Sequence, residues 1–277
     1  MRNGRFEGWY YKHQLGSNTI AFIPGSSESG SFVQMLSPNC TRYFTVPKLS
    51  VAGDRICAGK CLFSPLGCKI DLPGVSGELA YEGLTPLKSD IMGPFRFLPM
   101  ECRHGVISMA HSLRGSLTVD GTVYSFDGGN GYMEKDSGYS FPRSYQWLQC
   151  NDFLEPCSIM ISIARIPFCA LHFTGCICAI IYRGREYRLA TYKGVKIISK
   201  DETQICLSQG DLQLKVEISP SNVGHSLKAP VGGHMTGTIR ENANAEIHVR
   251  LWEHGQMILN LRSPYATYEY VASTNAQ

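Results

Sequence analysis

Glu134 and Asp136 stand two residues apart inside NGYMEKDSGYSFPRSYQWLQCN (130–151), which also holds three tyrosines, a phenylalanine and a tryptophan. A solvated loop has use for the charges and not the rings, and a packed core the reverse. The wall of an apolar pocket with a few polar groups uses both. If 131–136 is extended, alternation places Tyr132, Glu134 and Asp136 on one side, with roughly 7 Å between successive side chains. A carboxyl group in such a wall is poorly solvated, keeps its proton to higher pH and can act as a general acid. Rings facing the same cavity stabilise a developing cation through their π faces. The chemistry expected is proton donation to an apolar molecule, with Asp136 as donor and Glu134 as its partner.

Other residues bear on that chemistry. Beyond the turn at 138–142, Tyr145, Trp147, Gln149 and Asn151 share one side of the next strand, and Ser144, Gln146, Leu148 and Cys150 the other. By the same rule Glu7, Trp9 and Tyr11 share a side near the N-terminus. Tyr132, Tyr145, Trp147, Gln149, Glu7, Trp9 and Tyr11 are therefore expected to bind the ligand; the plainer alternative is a set of half-buried faces with acids at the rim. MECRHGVISMAHS (100–112) adds Glu101, His104 and His111. His111 joins the two acids as a catalytic candidate, and Glu101 and His104 join the ligand-binding set. Their spacing matches no standard zinc signature, so no metal is expected. Hydrogen bonding of each histidine to backbone or to a neighbouring acid is the competing explanation.

The elements that must position these groups read as strands. GSLTVDGTVYSF (115–126) is two β-prone runs joined at Asp120-Gly121, a pair suited to a tight hairpin turn. Arg183-Gly184 and His254-Gly255 repeat the device, and DLQLKVEI (211–218) alternates strictly. No dozen residues show a capped helical stripe. Many short strands at this spacing predict an all-β barrel or sandwich. GRFEGWYYKHQL…TIAFIPG and SFPRSYQWLQCN…SIMISIARIP echo each other as aromatic strand, turn and apolar strand, which predicts two similar halves, 1–135 and 136–277.

Composition bounds the class. The 277 residues are 43% hydrophobic and 18% charged, which predicts a globular chain with a substantial core. A net charge of +3 without a basic run argues against nucleic acid as partner. The longest apolar run, FCALHFTGCICAIIY (168–182), is too short for a transmembrane helix. The eleven cysteines form no CxxC pair, and MRNGRFEGWYYK lacks the apolar stretch of a secretory signal, so buried free thiols in a reducing cytoplasm are expected. No Walker loop, dinucleotide fingerprint or HExxH motif is present, and the chemistry above needs no cofactor.

FEGWYYK (6–12), YMEKDSGYSFPRSYQWLQCN (132–151), HSLKAP (225–230) and IHVRLWE (247–253) resemble the tocopherol cyclase family in order and spacing. The resemblance implies two lipocalin-like antiparallel β-barrels packed together, with little helix. It also implies protonation of an isoprenoid double bond, followed by capture of the carbocation by a phenolic oxygen. Glu134 and Asp136 would sit where related barrel families place acids. At one position the chain departs: plant members carry a tryptophan before the glycine where Ser137 stands. The expectation is a cofactor-independent cyclase or isomerase of a hydrophobic, isoprenoid or prenylated phenol-like molecule, with transient membrane contact during its uptake. The alternatives are a non-catalytic carrier of such a ligand, and a hydrolase or metal-dependent enzyme using the His104 and His111 region.

Overall fold

Alternating apolar residues and glycine-containing turns build two large antiparallel sheets. The computed structural model describes residues 4–168, 171–220 and 224–272. The chain divides into two compact units. The first holds 1–87, 104–141 and 227–238, and the second holds 88–103, 142–226 and 239–277. Most of the first unit precedes Pro142 and most of the second follows Phe141, and each unit also takes a segment from the other half of the sequence. Gln34 holds one such segment by accepting from the Lys228 amide and donating to its carbonyl. Arg188 holds another through the carbonyls of Ser89 and Asp90.

The two sheets share a topology. In the first, Phe6–Leu15 pairs on one side with its hairpin successor Asn18–Ser27 and on the other with Asn130–Gly138. In the second, Tyr145–Cys150 pairs with Cys157–Phe168 and with Gln256–Val271. Each unit's first strand therefore lies beside one of its last. Each sheet has its own apolar core. Trp9, Tyr11, Phe22, Phe63, Tyr81 and Met133 belong to the first, and Leu148, Cys150, Ile161, Cys178, Val216 and Tyr268 to the second. Ten cysteines are described and all are free, most of them buried; Cys169 lies outside the described residues. No helix among the described residues is long and apolar enough to cross a membrane.

The three expected hairpin turns are present. Asp120, Arg183 and His254 are the described non-glycine residues with positive φ, at 49°, 50° and 51°, each followed by a positive-φ glycine. Two successive left-handed residues give the turn whose twist matches a hairpin. Gly115 answers a different need. It has φ +114°, and a Cβ there would lie 2.3 Å from the Glu78 carbonyl oxygen of the neighbouring strand. Gly115→Ala is expected to lower stability by at least about 2 kcal/mol through strain and backbone clash. A urea denaturation midpoint equal to that of the wild type would refute this.

Candidate functional site

The register of Phe6–Leu15 against Asn130–Gly138 decides which side chains meet. Tyr10 lies opposite Glu134, Lys12 opposite Tyr132, and Gly8 opposite Asp136. Residues directly opposite in a ladder project to the same face. Tyr132, Glu134 and Asp136 therefore share a face with Tyr10 and Lys12, as alternation along their own strand requires. Trp9 and Tyr11 project from the other face into the first core. Glu7 is on that second face too, where it pairs with Lys135 at 2.5 Å while the Lys135 ammonium lies 4.7 Å from the centre of the Trp9 ring. Glu7, Trp9 and Tyr11 thus lie on the opposite face from the acids. The sheet separates them.

The acids meet His104, which comes from the long strand Cys102–Val119 beside Asn130–Gly138. Its Nδ1 lies 2.8 Å from Asp136 Oδ1, and its Nε2 lies 3.4 Å from Glu134 Oε2. The Tyr132 hydroxyl donates to the same Glu134 oxygen at 2.5 Å. Both imidazole nitrogens face carboxylate oxygens, so a protonated ring satisfies both contacts. Exposure rises along the chain of contacts, from 6% of the Glu134 side chain to 21% of Asp136. Burial and the Glu134 charge push the Tyr132 hydroxyl well above its ordinary range, which keeps it a neutral donor. Tyr10 packs edge-on to Tyr132 with ring centres 6.5 Å apart. The arrangement can hold and move a proton from a buried tyrosine–glutamate couple to a partly open aspartate.

The same three residues place one ligand atom each within 4.8 Å of one another, so His104, Glu134 and Asp136 could also hold a divalent cation. Spacing along the chain does not reveal such a set, because its members come from two strands.

The remaining candidates lie elsewhere. His111 projects into the first unit's interior, with its Nδ1 on Ser108 Oγ at 3.2 Å and its ring 4.6 Å from that of Tyr81. It does not join the acids. Its Nε2 is buried without a hydrogen-bond partner, against Gly131, where a Cβ would come within 2.1 Å. Desolvation holds its pKa down at about 4, so it is a neutral histidine of the core. Glu101 belongs to the second unit, half-buried; burial pushes its carboxyl up, against the pull of Arg143 and His172.

Tyr145, Trp147 and Gln149 share a buried face of the second sheet, turned away from the core that Leu148 and Cys150 enter. Trp147 lies opposite Glu269 and Gln149 opposite Thr267. The Tyr145 hydroxyl donates to Glu269, and Glu241 lies directly across the next ladder from Glu269. Sequence reasoning missed Tyr10, Lys12, Glu241, Thr267 and Glu269. The signal for the first two was their parity, which only the register reveals.

The tocopherol cyclase-like family profile matches residues 85–271, about two thirds of the chain. The chain belongs to the tocopherol cyclase-like family. The matched span contains His104, Glu134 and Asp136, and leaves the FEGWYYK strand outside. A chloroplastic tocopherol cyclase of Zea mays is 24% identical over 191 residues, covering 60% of this chain and 38% of the maize protein. The alignment thus takes in well under half of that relative's length. Among solved structures, CghA with Sch210972 superposes with a TM-score of 0.63 at 10% identity, covering 99% of this chain and 90% of that one. Kievitone hydratase from Nectria haematococca gives 0.52 at 12% identity, covering 98% and 90%. At such identities the likeness concerns the fold, which is that of two lipocalin-like antiparallel β-barrels.

Proposed function

We propose that this tocopherol cyclase-like protein is a cofactor-independent cyclase or isomerase of a hydrophobic small molecule, of the isoprenoid or prenylated phenol class. The observation that carries the reading is His104 held between Glu134 and Asp136, with Tyr132 behind Glu134. Asp136 is the proton donor. Its Oδ1 accepts from His104 Nδ1–H, so Oδ2 carries the transferable proton. Transfer to one carbon of a double bond leaves a carbocation on the other and a carboxylate at Asp136, which the His104 hydrogen bond stabilises. The phenolic oxygen then bonds to the cation and returns its own proton to Asp136. Atoms and charge balance within one substrate. Glu134 and Tyr132 orient the imidazole and keep its charged form available. Uptake of so apolar a substrate would involve transient contact with a membrane, and the cytoplasm is the compartment that fits free thiols.

The family assignment supports a small-molecule enzyme, and one structural neighbour is by name a hydratase. Addition of water to a protonated double bond would use the same first step.

The test is turnover of a panel of prenylated phenols and hydroquinones by the purified chain. Activity is expected to survive dialysis against EDTA with metal content below stoichiometric. Loss of activity on chelation and its return with one divalent metal would assign His104, Glu134 and Asp136 to metal binding instead.

A further inference from the structure

The first unit's sheet begins and ends on strands that are consecutive in the chain. Thr41–Val46 is one edge, Leu49–Ala52 is the other, and only Pro47 and Lys48 join them. No ladder links the two edges among the described residues, so the sheet has a seam where it curls back on itself. A cavity of about 960 Å³ is lined from both sides of this seam. That volume lies in the range of small-molecule sites. None of its lining residues belongs to the His104 cluster.

The lining has an apolar part and a charged part. Phe44 is half-buried there, and Val46 and Leu72 carry the wall into the first core. The charged side chains are Lys48, Lys60 and Asp71. Lys60 Nζ lies 3.7 Å from Asp71 Oδ2, so those two charges offset each other. Lys48 supplies the net positive charge.

We propose that the seam cavity is a second small-molecule site, and that it takes an amphipathic carboxylate. The apolar chain or ring lies along Phe44, Val46 and Leu72, and the carboxylate meets the Lys48 ammonium. One negative charge matches the one uncompensated positive charge, and an apolar body matches a wall that continues into the core. The site is independent of the acid cluster and of the reaction proposed for it.

Cys57 lines the cavity and is an exposed free thiol, which makes it a reporter. The experiment measures iodoacetamide alkylation of Cys57 by peptide mass spectrometry on the full chain, with dodecanoate or dodecanol added below micelle formation. Dodecanoate is expected to protect Cys57 saturably while Cys40, outside the cavity lining, labels at its original rate. Dodecanol should protect about tenfold less well, and Lys48→Glu should weaken protection by dodecanoate about tenfold, as loss of one charge-assisted contact does. Lys48 is exposed, so its replacement leaves the fold in place, and circular dichroism checks this. Absence of saturable protection overturns the proposal. So does equal protection by the alcohol, or protection that Lys48→Glu leaves unchanged.

Discussion

Asp136→Asn and His104→Gln each lower turnover by about 100- to 10,000-fold while substrate still binds, the loss typical of a removed acid–base group. The two fail for different reasons. Asparagine at 136 keeps the hydrogen bond from His104 Nδ1 and has no acidic proton to give. Glutamine at 104 cannot carry the positive charge with which an imidazole stabilises the Asp136 carboxylate after transfer. Glu134→Gln has a smaller effect, because it removes the charge behind the imidazole and keeps a hydrogen-bond acceptor for Tyr132. The expected split is a fall in kcat with KM nearly constant, which marks an interaction made in the transition state. Full activity in both Asp136→Asn and His104→Gln would reduce the cluster to a decorated hairpin and favour a carrier of hydrophobic ligands.

Stability should collapse on mild acidification. His13 and His111 are buried in the first unit, and desolvation lowers their pKa values from 6.5 to about 3 and about 4. Their surroundings keep them neutral. His13 Nδ1 bonds the Ile20 carbonyl, its Nε2 faces the Tyr81 hydroxyl at 2.6 Å, and Cys68 lies beyond. The Tyr81 and Cys68 pKa values are raised, so neither supplies a charge to an imidazolium. Below pH 6.5 the unfolded chain takes up two protons that the folded chain refuses. Stability is therefore complete above that pH and falls as pH drops toward 4, by on the order of 5 kcal/mol in all. A domain holds only about 5–15 kcal/mol, so acid unfolding near pH 4 follows. Urea titrations at pH 8, 6, 5 and 4 measure the slope. His111→Gln should remove about half of it, and a flat profile in the wild type would contradict the burial of both rings.

Much of the fold was legible because strands announce themselves locally. Asp120-Gly121, Arg183-Gly184 and His254-Gly255 each combine a turn pair with flanking alternation, and each turn is there. Leu214, Val216 and Ile218 face the second core as their alternation requires. The acids were legible for the same reason, since Tyr132, Glu134 and Asp136 lie within one strand. Contacts between strands were not legible. Nothing in FEGWYYK says whether its odd or even residues join the acids, and a change of one residue in register reverses the answer. The echo between the halves shows the hazard. Aligned by their tryptophans, the halves set Trp9 beside Trp147, yet Trp9 faces its core and Trp147 faces away from its own. The partner of His104 was hidden for the same reason: it lies against Asp136, 32 positions away on another strand, while His111 is buried beside Tyr81.

The most direct test of the proposed chemistry is turnover in deuterium oxide, with the product examined by mass spectrometry and NMR. The account predicts one carbon-bound deuterium per product molecule, at the carbon that was protonated, in wild-type protein. It also predicts that Asp136→Asn binds the same substrate and forms no labelled product. Product that carries no carbon-bound deuterium, or labelled product at the wild-type rate from Asp136→Asn, would contradict proton donation by this cluster.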